Sequence, residues 1–373
     1  MKYYLLIVGM IALSFVMSCE KDDKDDDAPG EPVALRDSVL VSNLAYPWEI
    51  LWGPDGFIWM TERGGKISRV DPATGTVTPL LTIAAVKTHN NGEGGLLGMV
   101  LHPNFSANPY VYVAHNYYTS GTTAANYKVK VVRYTYSANT LASPLVLVDS
   151  IQGNTNHNGC RLLITPDLKL FISTGDAENT ANSQNATSIN GKILRINLDG
   201  TVPADNPTPG SRIWCIGQRN PQGLVYANNI LYSSMHGNTT DDEINIIEKG
   251  RNYGWPNVEG MCNTTAEQSF CTANNVKEPI QIWTPTIAPS GLDYYDKDAI
   301  PQWKNSLLLA TLKNQRLMQL RLNSARTGVD SVAEFYNGKY GRMRDIAISP
   351  EGKVYICTSN GSNDKIIEVS AKK

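Results

Sequence analysis

His157-Asn-Gly-Cys-Arg-Leu-Leu-Ile-Thr-Pro-Asp-Leu-Lys-Leu-Phe-Ile-Ser-Thr-Gly-Asp176 is the stretch that decides the fold. An apolar run, Arg161 to Thr165, meets a turn at Pro166-Asp167-Leu168-Lys169, and a second run, Leu170 to Ser173, returns to Asp176. Such a pattern predicts a β-hairpin, in which residues equidistant from the turn become cross-strand neighbours. His157 and Asp176 are so placed. A carboxylate beside an imidazole orients it and makes it more basic, which is what a general base requires.

The same construction is read five more times. Trp48 and Glu62 flank a turn at Gly53 to Gly56, Glu93 and His115 flank one near Pro103-Asn104, and Arg219 and His236 flank Ala227-Asn228-Asn229. Ser290 and Lys313 flank Pro301-Gln302-Trp303, and Arg344 and Ser359 flank Pro350-Glu351-Gly352. The turns recur 49 to 74 residues apart, enough for one four-stranded propeller blade with its loops. We therefore expect an all-β chain: a six-bladed β-propeller of four-stranded antiparallel sheets. Every open end then faces one side, so Glu93, His157, Asp176, Arg219, His236, Lys313, Arg342 and Arg344 are expected near the central channel.

Composition agrees. The chain has 373 residues with 18% charged, 30 Gly and 20 Pro, as many short strands joined by turns require. No long amphipathic helical pattern is seen. The hairpins follow one another without a linker, so residues 37–371 are read as one domain.

Residues 1–18 have the form of a lipoprotein signal peptide. Lys2 precedes an apolar run, Leu5 to Val16, too short to span a bilayer, and the run ends in Val16-Met17-Ser18-Cys19. This resembles a bacterial lipobox, with Cys19 acylated and the protein held at the cell envelope. Residues 19–36 are read as a flexible acidic tether, opening with Glu20-Lys-Asp-Asp-Lys-Asp-Asp-Asp27. The whole chain is −2; Lys2 contributes +1 and the tether −4, so residues 28–373 carry +1. That body has no basic stripe, which argues against a nucleic-acid partner.

Cys262 and Cys271 lie in a polar insert between the fourth and fifth hairpins and are expected to form a disulfide. Cys160, Cys215 and Cys357 sit in apolar runs and are read as small buried hydrophobes. No zinc spacing, Gly-x-Ser-x-Gly elbow or His-Glu-x-x-His motif is present. Gly92-Glu-Gly-Gly-Leu-Leu-Gly98 lacks the dinucleotide-binding spacing.

Taken in order, Pro47-Trp48, Thr61-Glu-Arg-Gly-Gly65, Gly92 to Gly98 with His102-Pro103, His157-Asn-Gly, Ser173-Thr-Gly-Asp176, Gly191-Lys-Ile-Leu-Arg-Ile196, Arg219-Asn-Pro-Gln-Gly223, Asp241-Asp-Glu-Ile-Asn245, Asn252-Tyr-Gly-Trp-Pro256, Ala288-Pro-Ser-Gly291 and Arg342-Met-Arg-Asp345 carry a resemblance. From about Leu44 to Asn360 the chain resembles the PQQ-dependent glucose, sorbosone and aldose sugar dehydrogenases. The resemblance implies a propeller that binds pyrroloquinoline quinone (PQQ) and calcium and oxidises an aldose at its anomeric carbon to a lactone. It implies His157 as the general base, with hydride passing to the quinone, Asp176 as its orienting partner, and Arg219 as a stabiliser of charge on the quinone oxygen. Glu93, Asn220, Lys313, Arg342 and Arg344 are implied at the cofactor, and the carbonyls of Gly237 and Asn238 at the metal.

PQQ is a planar tricarboxylate, and guanidinium groups pair with carboxylates in bidentate fashion, so a cluster of cations suits it. Two departures stand out: Asn238 follows Gly237 where Gly-Pro is common, and Glu93 replaces the glutamine of the glucose-specific branch. A non-catalytic propeller binding carbohydrate or protein, as in Hedgehog-interacting relatives, and a calcium-dependent lactonase are the alternatives. The retained cations argue against the first, and the lack of clustered carboxylate and Asn metal ligands against the second. The sugar and the electron acceptor are not specified by the sequence, and the role of Asp241-Asp242-Glu243 stays open between a turn, a calcium site and a cofactor loop.

Overall fold

The computed structural model describes residues 31–372; the signal sequence, Cys19 and most of the acidic tether lie outside them. The described residues form six four-stranded antiparallel sheets. Each of the six hairpins is the inner half of one sheet, and its first strand lines the centre: Pro47–Trp52, Leu96–Leu101, Gly159–Ile164, Pro221–Ala227, Pro289–Tyr295 and Met343–Ile348. These strands touch one another in sequence, and the sixth touches the first. The result is the six-bladed propeller.

Ring closure uses a strand outside the six hairpins. Leu35–Leu44 pairs antiparallel with Asp364–Ala371 and becomes the outer strand of blade six. Leu35 faces Ala371 and Leu44 faces Asp364, so the last blade is built from both ends of the domain.

Apolar side chains fill the spaces between blades. Between blades one and two, Trp59, Ile67, Met99, Val111 and Val113 form one cluster, with Phe105 edge-on to Trp59. Strand residues alternate faces, so β-branched and aromatic residues can supply both neighbouring interfaces.

The centre differs. In every blade the inner strand slips register against its neighbour, between Pro47 and Glu49, Leu96 and Met99, Gly159 and Leu162, Pro221 and Gly223, Pro289 and Leu292, and Met343 and Asp345. In three blades the residue passed over is Trp48, Gln222 or Arg344. A β-bulge re-aims such a residue. Arg344 Nη1 donates to Gln222 Oε1 at 2.9 Å, and the guanidinium lies 5.7 Å from the Trp48 ring centre. Residues of blades one, four and six thus meet across the channel.

Arg161, which heads an apolar run in the sequence, is buried there as well. It pairs with Glu49 at 2.5 Å and Asp345 at 3.0 Å, donates Nε–H to the Gln222 carbonyl at 2.8 Å, and covers Trp48 at 4.3 Å. This network plugs the channel below the open ends.

The insert holds the Cys262–Cys271 disulfide and a short helix, Thr265–Ala273, which the sequence reading did not foresee. Its start is fixed by a reciprocal capping box between Thr264 and Glu267. Cys160, Cys215 and Cys357 are free and buried.

Candidate active site

The two ends of the third hairpin bring His157 and Asp176 together. Asp176 Oδ1 lies 2.8 Å from His157 Nδ1. Asp176 is fully buried, and its carboxylate also accepts the Glu178 N–H at 2.8 Å and the Trp255 indole N–H at 2.9 Å. Three donors therefore converge on one carboxylate, and Nδ1–H is the tautomer they favour. Nε2 has no hydrogen-bond partner among the described residues, and the ring is 19% exposed.

His157 has a left-handed backbone, φ 57°. Outside glycine such a conformation persists only where its surroundings fix it. Glu93 Oε2 accepts the His157 N–H at 3.2 Å, and the His157 carbonyl accepts from Ala177 at 3.1 Å. Gly175 packs so closely that a Cβ there would come within 2.0 Å of the His157 carbonyl. Asn156 Nδ2 is tied to Glu178 Oε1 at 2.9 Å, locking the two loops together.

Glu93 joins these loops to the cations. Asn220 Nδ2 approaches its Oε2 at 3.4 Å. Burial opposes ionisation of Glu93, yet the positive fields of His236, Arg344 and His157 hold its carboxyl below the usual value. Burial also lowers His236, whose Nε2 is engaged with the Pro289 carbonyl at 2.8 Å. Burial, opposed by Glu93 and reinforced by Arg342, Arg161 and Arg63, pulls the Arg344 guanidinium down to about 10.

Arg219 stands over the Trp255 ring at 5.2 Å, and its carbonyl accepts the Asp176 N–H at 2.8 Å. Its guanidinium makes only long contacts, 3.5 Å to the His236 carbonyl and 3.4 Å to Asn238 Oδ1. The Nε–H groups of Arg63, Arg219 and Arg344 are buried without a partner among the described residues. Lys313 is exposed and donates to Thr286 at 2.7 Å, while Arg342 is exposed on the same rim. Gly237 and Asn238 follow His236, and their carbonyls accept no backbone hydrogen bond among the described residues.

The acidic run is chiefly a loop organiser. Asp242 Oδ1 accepts the Gly237 N–H at 2.8 Å, and Oδ2 accepts the N–H groups of Ile287 and Ala288 at 2.5 and 2.7 Å. Glu243 holds Gly260 at 2.9 Å, and burial pushes its carboxyl up to about 8. Asp242 thereby shapes the loop that presents Gly237.

Sequence reasoning passed over Arg63, Gln222, Trp255 and the Glu49–Arg161–Asp345 network. Arg63 and Trp255 stood within quoted motifs, but nothing local showed which way they face. The pairing of Glu93 with His115 is corrected: Leu96 is the partner of His115, and Glu93 lies ahead of that strand and reaches His157 instead.

Set against known proteins, residues 44–368 match the family model for glucose/sorbosone dehydrogenase. Quinoprotein glucose dehydrogenase B of Acinetobacter calcoaceticus is 33% identical over 410 residues, spanning 87% of this chain and 85% of that protein. Aldose sugar dehydrogenase YliI of Escherichia coli is 29% identical over 360 residues, 91% of this chain and 94% of that one. Among solved structures, the PQQ-bound form of an aldose sugar dehydrogenase from Streptomyces coelicolor superposes with a TM-score of 0.77 at 31% identity, covering 92% of this chain and all 100% of that chain.

Proposed function

The chain belongs to the glucose/sorbosone dehydrogenase family, a family of PQQ-dependent sugar oxidoreductases, and on that premise we propose that it oxidises the anomeric carbon of an aldose to the lactone with PQQ and calcium at the channel opening. The observation that carries this reading is a histidine with its Nε2 open, backed by a buried carboxylate, in an opening ringed by underused cations.

The residues present fit the cofactor. Arg63, Arg219 and Arg344 offer buried N–H groups without partners, and Lys313 and Arg342 add exposed charge on the same rim. Such donors suit a tricarboxylate. Calcium takes hard oxygen ligands including main-chain carbonyls, and those of Gly237 and Asn238 are the candidates. When bound, PQQ supplies the hydride acceptor and calcium the Lewis acidity that polarises its carbonyl.

The chain supplies the proton chemistry. His157 Nε2 accepts the proton of the sugar's anomeric hydroxyl as the C1–H bond breaks. Asp176 holds Nδ1–H and stabilises the imidazolium that forms, itself held in place by its Trp255 and Glu178 donors. Glu93 keeps His157 at its left-handed backbone angle. The inter-blade network below closes the channel behind the site, so a sugar approaches from the open side. Cys19 would carry the lipid that places this chemistry at a bacterial cell envelope.

The test uses protein lacking residues 1–27. Titration with PQQ and calcium, read by quinone absorbance, is expected to show binding, and dye reduction with aldoses is expected only when both are present. His157→Ala should keep cofactor binding and lose about a hundredfold or more in kcat. Failure to bind at about micromolar PQQ would refute the proposal.

A further inference from the structure

Lys192 lies in the quoted run Gly191-Lys-Ile-Leu-Arg-Ile196 and takes no part in the chemistry above. It opens the strand Lys192–Asn197 of blade three and is fully buried. Its Nζ donates to three main-chain carbonyls, Asn182 at 2.6 Å, Ser183 at 3.0 Å and Asn190 at 2.9 Å. An ammonium has three donors and no acceptor, so three carbonyls satisfy it completely. It makes no ion pair with a carboxylate among the described residues.

Two of these carbonyls belong to the helical turn Ala181–Gln184, and that turn holds the site from behind. Asn182 Nδ2 donates to the Asp176 carbonyl at 2.9 Å. Ser183 Oγ donates to the Gln218 carbonyl at 2.6 Å, and the Ser183 carbonyl accepts the Gly217 N–H at 3.0 Å, fixing the segment that leads into Arg219. Gln184 Nε2 donates to the carbonyl of Trp255 at 2.7 Å, the residue that binds Asp176 and lies beneath Arg219. One buried ammonium therefore stands behind the base's partner, the arginine and the indole together.

We propose that Lys192 is a positioning residue, a built-in cation that organises the 181–184 turn as a bound metal ion would and that limits catalysis at alkaline pH when it loses its proton. Only the catalytic readout rests on the dehydrogenase reading. A neutral amine has two donors for three carbonyls: the Asn182 and Ser183 carbonyls keep the N–H groups of Asn185 and Gly217 at 3.2 and 3.0 Å, whereas the Asn190 carbonyl has no second donor among the described residues, so deprotonation either orphans Asn190 or unties the 181–184 turn.

Burial lowers the ammonium from 10.5 to about 8. The titratable group facing it is Cys215, on the strand Ile213–Ile216, whose thiol burial pushes up and keeps neutral. Thr174 on the neighbouring strand and Asn182, Ser183 and Asn190 around the ammonium carry no charge. A lysine whose folded value lies below its unfolded one makes the unfolded chain the better proton binder between the two. This group's contribution to stability therefore rises from about pH 8 to 10.5. Activity and stability are expected to part company in that window.

The experiment compares wild-type holoenzyme, loaded with PQQ and calcium, with Lys192→Met. At pH 7 the variant should show kcat about tenfold or more below wild type with PQQ affinity unchanged. The ratio should narrow by about threefold or more towards about pH 9.5, while the melting temperature of the wild type rises relative to the variant. A folded variant with wild-type kcat, or a ratio constant with pH, overturns the proposal. Should the variant not fold, hydrogen exchange of the wild-type Ser183 and Gly217 amides at about pH 7 and 9, corrected for intrinsic rates, decides. Faster opening at the higher pH supports the proposal and equal protection overturns it. Exchange needs no sugar turnover, so it reads Lys192 even if the dehydrogenase reading fails.

Discussion

Replacing Asp176 by Asn keeps the shape of the side chain and removes its charge. Asp176 Oδ1 accepts from His157 Nδ1 and the Glu178 N–H, and Oδ2 accepts from Trp255. An amide has one oxygen and one NH₂, so it cannot accept from all three donors. With NH₂ towards Trp255, two N–H groups oppose each other in a buried site, at about 1–3 kcal/mol. With NH₂ towards His157, the imidazole must present a bare Nδ1, which moves its proton to Nε2 and blocks the base; the Glu178 N–H is orphaned as well. In either orientation the imidazolium formed in the reaction loses its countercharge. We expect kcat to fall by about 10²- to 10⁴-fold and stability by about 1–3 kcal/mol, with PQQ affinity unchanged. Dye reduction at saturating PQQ, calcium and sugar measures the first, thermal melting the second and quinone absorbance the third. An Asp176→Asn variant within about threefold of wild-type kcat would refute the role given to this carboxylate, and so would a loss traceable to cofactor affinity.

Arg342→Ala, at an exposed position, should leave the melting temperature unchanged and weaken PQQ binding about tenfold, as read by titration. Arg344→Ala removes the donor to Gln222 and Ser290 and the positive field at Glu93, and should cost about 1–3 kcal/mol of stability in addition to PQQ affinity, measured by denaturant unfolding. Breaking Cys262–Cys271 with paired Ser substitutions should cost about 2–3 kcal/mol by the same measurement, because the cross-link closes a short loop in the unfolded chain. Cys19→Ser should release the protein from the membrane fraction; a variant that fractionates like wild type, with no lipid on the wild-type chain, would end the anchor proposal.

The parts of this fold that the sequence disclosed are those governed by local chemistry. Pro, Asn, Asp and Gly punctuate all six inner hairpins, and apolar runs on either side mark the strands, so His157 and Asp176 could be placed at one open end. The channel obeys different rules. A one-residue register slip at Trp48, Gln222 or Arg344 is decided by what packs across the ring, and no neighbour in sequence announces it. Arg161 looked like the head of an apolar strand because its two carboxylates, Glu49 and Asp345, come from other blades. The helix Thr265–Ala273 is a different case: Thr264 and Glu267 spelled out its capping box, and the short polar run after them carried no apolar stripe to draw attention.

The strand that seals the ring also decides on which side of the propeller the chain enters. Leu35 lies beside Ala371, level with the hairpin turns, while Leu44 lies beside Asp364, level with the site. Gln302, in one of those turns, bonds Val33 in both directions, pinning the start of the domain to the far side. If Cys19 carries a lipid, as proposed, the tether would join the propeller at its back, on the side away from the cation-rimmed opening. A tether joined there leaves the opening itself clear for a sugar and for whatever acceptor collects the electrons.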